Sequence, residues 1–274
     1  MTLAVCATPI GNADDVTLRV LAELRTADVV LAEDTRRTRT LLARHGIEAA
    51  LLSYHEHNEA ARVAELLPRL AAGERVALVS DAGLPAISDP GARLVRAALE
   101  AGVAVTVLPG PSAVETALVA SGLVAERYAF VGFLPRRAGE LAALWHETAS
   151  WAMPVVAFES PRRLPATLRS LAAAFPEREA AVCRELTKVF EEVVRGTAAE
   201  LAERFAEPPK GEVTLVLGAG AADGAGAAPA AAAPAAALEA VGELVASGAS
   251  RRTATEVVAR LTGIARNALY RGSL

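Results

Sequence analysis

Short apolar runs that end in loops of proline and glycine recur in the first part of the chain and restrict its fold more than any other feature. The loops are residues 9–12, 79–91 and 109–113, after apolar runs at 3–8, 76–79 and 103–108. Proline fixes φ and glycine permits positive φ, so these loops are expected to be tight turns. Ligands of open α/β sheets bind at the carboxyl ends of strands, so loop 79–91, with Asp81 and Asp89, indicates a small-molecule site. The alternative is a rigid connection to the next helix.

Helical spacing alternates with these apolar runs through residues 1–122. Strands are expected at 3–8, 27–32, 51–53, 75–79 and 103–108, and helices at 17–25, 38–45, 59–71, 92–101 and 112–120. Ser112 stands where the last of these helices needs an N-cap. Alternation of this kind predicts a mostly parallel sheet with helices on its faces. Residues 1–122 are therefore expected to form an N-terminal α/β domain.

Residues 123–217 repeat the alternation with different spacing. Strands are expected at 128–133, 154–158, 179–184, 189–195 and 213–217, and helices near 138–149, 163–174 and 198–206. The strands at 179–184 and 189–195 are joined too closely for a helical crossover, so at least part of this sheet should be antiparallel. We expect a second α/β domain with a mixed sheet.

The last part of the chain changes composition. Residues 218–237 are almost all alanine, glycine and proline, with Pro229 and Pro234 expected to interrupt any helix, so this stretch is predicted to be a flexible linker. Residues 238–274 show two helical stretches around Ser250 and Gly263 and are rich in arginine. This helical extension has two open interpretations, an RNA contact or a packing and dimerisation hairpin.

The composition indicates a globular protein of two domains. The chain has 274 residues, of which 53% are hydrophobic, and a formal net charge of −4. It contains no apolar run of about 18 residues and no charged-then-apolar leader, so we expect neither a membrane span nor export, and a cytoplasmic location. Cys6 and Cys183 lie in separate apolar runs and no Cys/His cluster is present, which predicts buried free thiols and no metal site.

Arginine is clustered although the chain is net acidic. The clusters lie at positions 36, 37 and 39, at 136 and 137, at 162 and 163, and at 251 and 252. Each cluster stands beside a loop, and together they fit a local surface for nucleic-acid phosphates. The alternative for each is an ordinary solvated face.

The usual signatures of nucleotide-binding and hydrolytic enzymes are missing, because the sequence has no GxGxxG after its first strand, no P-loop, no GxSxG and no HExxH. Other motifs are present. They are ATPIGN at 7–12, AEDTRRT at 32–38, HNE at 57–59, ALVSDAGLPAISDPG at 77–91, LPGPSA at 108–113, GFLPR at 132–136, FES at 158–160, RELTK at 184–188, GE at 211–212 and ALY at 268–270. This set resembles the family of ribosomal RNA small subunit methyltransferase I, within the tetrapyrrole methylase superfamily.

The resemblance implies two α/β domains with the cofactor cleft between them, and a homodimer. It also implies S-adenosylmethionine as methyl donor and 2'-O-methylation of a cytidine in the decoding region of 16S rRNA of the small ribosomal subunit. The cofactor-binding positions that it implies are Pro9, Asp81, Ala82, Gly83, Ala86, Pro109, Gly110, Ser112, Ala113, Phe158, Glu159 and Leu186. Where related enzymes have Gly-Asp-Pro, this chain has Asp81-Ala82-Gly83, so contacts from that loop's aspartate do not transfer directly.

Methyl transfer to a ribose hydroxyl needs alignment, exclusion of water and a base for the hydroxyl proton. The candidate bases are Asp34, Glu33, His57 and Glu185. Each has a structural alternative: Asp34 caps the next helix or pairs with Arg36, His57 caps or bonds locally, and Glu185 pairs with Lys188.

The candidate RNA-phosphate ligands are Arg36, Arg37, Arg136, Arg162 and Lys188. Their number favours an RNA substrate over a tetrapyrrole, although tetrapyrrole carboxylates also attract arginine. A tetrapyrrole C-methyltransferase and a methyl-donor-binding ribosome factor without turnover remain the alternative functions.

Overall fold

Two five-stranded sheets, each packed with helices, form most of the structure, a computed structural model that describes residues 2–220, 234–262, 269 and 273. The first sheet contains β1 (Thr2–Cys6), β2 (Val29–Ala32), β3 (Leu51–Ser53), β4 (Arg75–Val79) and β5 (Ala104–Leu108). Their order is β3-β2-β4-β1-β5 and every pairing is parallel, which confirms the prediction for this part of the chain. The central strands are apolar throughout because both of their faces are buried.

Helices cover both faces of the first sheet. They are α1 (Leu18–Thr26), α2 (Thr35–Arg44), α3 (Glu59–Ala71) and α4 (Ala92–Glu100). One buried cluster joins α1 and α2 to the sheet, and another joins α3 and α4 to its opposite face. Helix α2 begins at Thr35, three residues before the predicted start, because the Asp34 side chain accepts a hydrogen bond from the Arg36 amide and caps it.

The second sheet contains β6 (Ala129–Phe133), β7 (Val155–Glu159), β8 (Glu179–Arg184), β9 (Glu192–Thr197) and β10 (Val213–Leu217), in the order β6-β7-β10-β8-β9. Only β6 and β7 pair in parallel, so the predicted mixed sheet is confirmed. Strand β9 begins at Glu192 and not at 189, because residues 185–191 turn back on themselves through Lys188 N–Glu185 O and Glu191 N–Lys188 O hydrogen bonds.

Helices also cover both faces of the second sheet. Helices α6 (Ala138–Ala149), α7 (Leu164–Ala174) and α8 (Ala198–Arg204) pack on one face. The other face is covered by α5 (Ala113–Ser121), which follows β5 of the first sheet. Val114, Ala117 and Leu118 of α5 share a buried cluster with residues of β7, β8 and β10. Helix α5 therefore ties the two sheets together.

A helical pair, α9 (Pro234–Ala246) and α10 (Arg251–Thr262), forms the described part of the predicted extension. The predicted linker is too long at its carboxyl end, since residues 234–237 are helical. Pro234 begins the helix and does not break it, because the first turn of a helix needs no N–H there. Residues 221–233 and most of the ALY motif at 268–270 lie outside the described residues.

Two further features concern the whole described chain. Both Cys6 and Cys183 are buried and free, as predicted, and burial raises the pKa of each thiol to about 12. None of the helices in the described ranges combines the length and the apolar character needed to cross a membrane.

Candidate functional site

The loops that follow β1, β2, β4 and β5 meet at one edge of the first sheet, because these parallel strands are neighbours. Two of the loops are locked together by backbone pairing. The Thr8 amide donates to Gly83 O at 2.8 Å, and the Gly83 amide donates to Thr8 O at 3.0 Å. The Thr8 hydroxyl also donates to Ser80 O at 3.0 Å. The proline- and glycine-rich segments therefore form one rigid edge.

A cavity of about 530 Å³ lies between this edge and the second sheet. Its apolar lining comes from both domains and includes Ile10, Leu84, Val114, Phe133, Phe158 and Leu186. Polar groups enter from the loops after β2 and β4, where Glu33, Asp81 and Asp89 line the same space. An apolar cavity with a few converging polar groups is the usual form of a small-molecule site.

The expected cofactor-binding residues fall into two groups. Those that line this cavity are Asp81, Ala82, Gly83, Ser112, Ala113, Phe158, Glu159 and Leu186. Pro9, Ala86, Pro109 and Gly110 do not line it. Pro9 instead lines a neighbouring cavity of about 440 Å³, which shares Arg37 and Asp81 with the first.

Glu159 and Ser112 have side chains engaged within the protein. The Glu159 side chain is 0% exposed and accepts hydrogen bonds from Ser160 N and the Thr167 hydroxyl, so its carboxylate is not directed at a ligand. Ser112 occupies the N-cap position of α5 as expected, but its hydroxyl bonds to Glu115 and not to a backbone amide. The amides at the start of α5 are therefore not capped by this side chain.

Loop 79–91 is held in an unusual backbone conformation. Ala86 and Ser88 have positive φ values of 71° and 60°, which non-glycine residues rarely adopt. Gly91 closes the loop at φ 137°, where an added Cβ would lie 2.9 Å from Leu78 Cδ2. The Gly91 amide also donates to Glu59 Oε1 at 3.0 Å. These contacts fix the segment that carries Asp89 at the cavity wall.

The turn after β1 contacts the segment that follows β8. The Asn12 amide donates to Thr187 Oγ1 at 2.9 Å. A Cβ on Gly11 would lie 2.7 Å from Leu186 O and 2.6 Å from Thr187 Oγ1, so only glycine fits. Because Leu186 lines the cavity, this contact sets the width of the cleft.

Three carboxylates converge at the cavity wall. Burial, and then the nearby carboxylates of Glu33 and Asp81, raise the pKa of Asp89 to about 6. The pKa of Glu33 is also raised, first by burial and then by Asp81, while Arg37 and His55 oppose the change. Close carboxylates cannot all ionise without mutual repulsion, so this group of carboxylates keeps a proton to a higher pH than isolated carboxylates do.

Of the other candidate bases, Asp34 and Glu185 make the structural contacts that were their alternatives. Besides capping α2, Asp34 forms a salt bridge with Arg36 at 2.7 Å, and hydrogen bonds from Arg36 lower the pKa of its carboxyl group. Glu185 accepts from Lys188 at 2.8 Å and from Glu212 N at 2.9 Å, which lowers its pKa. His57 is exposed, and its ring lies 5.9 Å from that of His55. None of the three lines the cavity of about 530 Å³.

The candidate RNA ligands also divide into two groups. Arg36, Arg37 and Lys188 are engaged in salt bridges, the last with both Glu185 and Glu212. Arg136 and Arg162 are exposed, and no carboxylate among the described residues forms a salt bridge with either.

The arginines next to these two in sequence have structural roles. Arg163 donates to the carbonyl oxygen of Leu134 at 3.2 Å and to that of Pro135, and so holds the loop that carries Arg136. Arg137 pairs with Glu140 at 2.9 Å. Each of the arginine pairs 136–137 and 162–163 therefore offers one guanidinium group without a salt bridge among the described residues.

Ile87, Asp89 and Phe133 are among the cavity-lining residues that were not predicted as catalytic, cofactor or RNA ligands. Asp89 belonged to the loop singled out above, so the signal for it was its place at a strand end. The signal for Phe133 is Gly132, since a glycine inside a strand often marks a bulge.

Comparison with known proteins places these features in context. The family model for tetrapyrrole (corrin/porphyrin) methylases matches residues 2–202. The chain is 48% identical over 167 residues to "Ribosomal RNA small subunit methyltransferase I" of Halalkalibacterium halodurans, an alignment covering 61% of this chain and 58% of that protein. It is 46% identical over 172 residues to the protein of the same name from Thermotoga maritima, covering 62% of this chain and 76% of that protein.

The chain thus spans less than two thirds of the length of the first of these relatives. A solved structure of uroporphyrin-III C-methyl transferase from Thermus thermophilus, complexed with S-adenyl homocysteine, matches with a TM-score of 0.56. It is 20% identical, and the match covers 80% of this chain and 97% of that one, so it establishes the shared fold.

Proposed function

The chain belongs to the tetrapyrrole (corrin/porphyrin) methylase family, and on this premise we propose that it methylates small-subunit ribosomal RNA with S-adenosylmethionine. The acceptor that we propose is the 2'-hydroxyl of a cytidine in 16S rRNA. The observation that carries the proposal is the cavity of about 530 Å³ between the strand-end loops and the second sheet. The relatives named for ribosomal RNA methylation support RNA, and not a tetrapyrrole, as the substrate.

The cavity fits the methyl donor in size and chemistry. Its apolar lining from Ile10, Val114 and Leu186 suits the adenine ring and the carbon chain, and Asp81 offers an acceptor for polar groups. Ala82 and Gly83 add little side-chain volume at the wall, so a ligand approaches the backbone there. When bound, S-adenosylmethionine supplies an electrophilic methyl group on a sulfonium. The residues of the chain exclude water from this group and orient the acceptor towards it.

The acceptor hydroxyl needs a base, and we propose Asp89 for this role. A bond forms between the ribose oxygen and the methyl carbon, the carbon–sulfur bond breaks with its electron pair left on sulfur, and the hydroxyl proton passes to the Asp89 carboxylate. A pKa of about 6 leaves Asp89 ionised at neutral pH yet basic enough to accept the proton. Glu33, also at the wall, shapes its pKa through charge. Asp34 and Glu185 are weaker bases because cations lower their pKa values.

RNA phosphates are proposed to bind the unpaired arginines of the second domain. Arg136→Ala is expected to weaken RNA binding several-fold at low salt and to reduce the slope of log K against log salt by about 0.7, the value for one phosphate contact on a single strand. Arg137→Ala is the matched control, because its side chain is already paired with Glu140. Filter binding of 16S rRNA over a salt series measures both. Equal effects of the two substitutions would contradict the assignment.

The function is tested with labelled S-adenosylmethionine and two acceptors, small ribosomal subunits from a strain that lacks the gene and uroporphyrinogen. Label is expected in 16S rRNA, and nuclease digestion is expected to locate it as a 2'-O-methylated cytidine. Label in the porphyrinogen alone would instead identify a tetrapyrrole methyltransferase. Binding of the donor with label in neither acceptor would favour a ribosome factor without turnover.

We also propose that the protein acts as a homodimer. Strand β5 is an edge of the first sheet and exposes the apolar side chain of Val107, which a second copy would cover. Sedimentation equilibrium measures the mass, and a monomer at micromolar concentration would refute this proposal.

A further inference from the structure

Strand β6 is irregular at the point where it reaches the cavity. Its register with β7 shifts between Phe130 and Phe133, and Gly132 within the shift has a φ of 68°. A bulge of this kind turns the next side chain away from the direction that regular pleating would give it. The Cβ position of Gly132 lies 3.7 Å from Ser88 Oγ, so the bulge brings β6 against loop 79–91 of the other domain. Phe133 therefore stands where the two domains meet.

The side chain of Phe133 is 63% exposed although it lines the cavity. Its ring contacts that of Phe158 edge to face, with centroids 5.4 Å apart and an interplanar angle of 63°. Phe158 is supported in turn by Phe130, with centroids 4.9 Å apart. The Phe133 ring is thus held from one side by an aromatic row and remains open to solvent at the rim of the cavity. An aromatic ring this exposed buries little area against the rest of the described protein, so packing does not explain its position.

We propose that Phe133 is the stacking platform for the base of the acceptor nucleotide, an inference that rests on the proposed RNA ribose methylation. Proteins recognise unpaired RNA by stacking its bases on exposed aromatic rings, because every base has a flat face. The loop with Ser88 and Asp89, which Gly132 approaches, lines the same cavity as Phe133. A nucleotide stacked on Phe133 places its ribose between the ring and this loop.

A positive charge near Phe133 also suits a bound nucleotide. Arg136 follows Phe133 by three residues, in the loop after β6, is exposed and has no salt-bridge partner among the described residues. It is suited to a phosphate that flanks the stacked nucleotide. The interior of the cavity remains for the donor. The acceptor nucleotide therefore binds at the rim and the methyl donor in the interior, and a transfer between two substrates requires both to be bound together.

The test compares Phe133→Leu, Phe133→Tyr and Phe190→Leu with the unaltered full chain. Leucine keeps an apolar side chain but removes the flat face, and tyrosine restores it. Phe190 is the matched control, since it is a phenylalanine of the same domain that is 74% exposed and does not line the cavity. The measurements are kcat and KM with small ribosomal subunits, donor affinity by calorimetry, and Tm.

Phe133→Leu is expected to lower kcat/KM about 5- to 150-fold through KM, because stacking on an aromatic ring contributes about 1–3 kcal/mol per base. Phe133→Tyr and Phe190→Leu are expected to stay within about twofold of the unaltered protein. Donor affinity and Tm should not change with Phe133→Leu, since the ring is mostly exposed.

Three results would overturn the inference. They are an unchanged kcat/KM for Phe133→Leu, an equal loss for Phe190→Leu, and a loss of donor affinity that accounts for the whole effect. If the unaltered protein labels 16S rRNA and Phe133→Leu behaves like it, only the stacking role fails. If the unaltered protein places no label in RNA, the proposed function fails and the stacking role fails with it.

Discussion

Replacement of Asp89 by asparagine is expected to slow methyl transfer about 10²- to 10³-fold and at the same time to stabilise the folded protein. Asparagine has the size of aspartate but cannot accept the hydroxyl proton, and general-base catalysis typically contributes this much to a rate. The donor should still bind, because the substitution leaves the apolar lining of the cavity unchanged. Single-turnover rates with small ribosomal subunits measure the chemical step, and calorimetry measures donor affinity, so the two are separated.

The gain in stability follows from the raised pKa of Asp89. The folded state binds the proton more tightly than the unfolded state, so the stabilising contribution of the protonated carboxyl is present below the unfolded pKa, near 3.9. It is lost as the pH rises through about 6, the folded value. Asparagine does not ionise, so Asp89→Asn does not lose this stability as the pH rises. Since one pKa unit corresponds to about 1.4 kcal/mol and Asp89 is partly exposed, the gain above pH 6 is about 1–2 kcal/mol, or a few degrees in Tm.

The pH dependence gives a second signature of the same residue. In the unaltered protein the single-turnover rate is expected to rise with pH up to about 6 and then level off, as Asp89 ionises. In Asp89→Asn this rise should disappear, and the difference in Tm between the two proteins should vanish near pH 4. A slow variant that keeps the rise near pH 6 would assign the base to another group. A fall in Tm above pH 6 would show that the Asp89 carboxylate supports the fold.

The strands were predictable from sequence because their signal is local. The bounds of β4, β8 and β10 agree with the predicted strands, since the middle of each strand is mainly apolar and buried. That the loops after β1, β2, β4 and β5 would meet followed from parallel pairing alone. Where the apolar run continued beyond the pairing, as at Val189 and Phe190 before β9, the prediction was too long, because apolar side chains do not reveal where a partner strand ends.

The side chains of the site were less predictable, because their roles depend on distant neighbours. Asp34 resembles a catalytic carboxylate in sequence, yet its contacts are those of a helix cap and of a salt bridge with Arg36. The raised pKa of Asp89 depends first on burial and then on Glu33, which lies 56 positions earlier in the sequence. The exposure of Phe133 depends on a bulge. Each of these features arises from tertiary packing, which a single sequence does not display.

Substitution of Gly11 by alanine is expected to open the cleft and to weaken donor binding about tenfold or more. The added methyl group would lie 2.7 Å from Leu186 O and 2.5 Å from Lys188 Cγ. The lysine side chain can move, but the Leu186 carbonyl is backbone, so the turn after β1 must separate from residues 186–188. Overpacking of this kind costs about 1–3 kcal/mol. Leu186 lines the cavity and Thr187 bonds to Asn12. The substitution therefore destabilises the arrangement in which the turn contacts residues 186–188 and the cavity encloses the donor.

Gly139→Ala is the control for Gly11→Ala, because no atom lies within 4 Å of the Cβ position of Gly139, near the start of α6. This variant should bind the donor normally and gain up to about 1 kcal/mol of stability, since alanine favours helix more than glycine does. Calorimetric titration with S-adenosylmethionine and thermal unfolding measure both variants. Normal donor affinity in Gly11→Ala would show that the turn can separate from residues 186–188 without opening the cavity. A tenfold loss, with the rate at saturating donor largely retained, would identify this contact as the one that holds the two domains closed around the methyl donor.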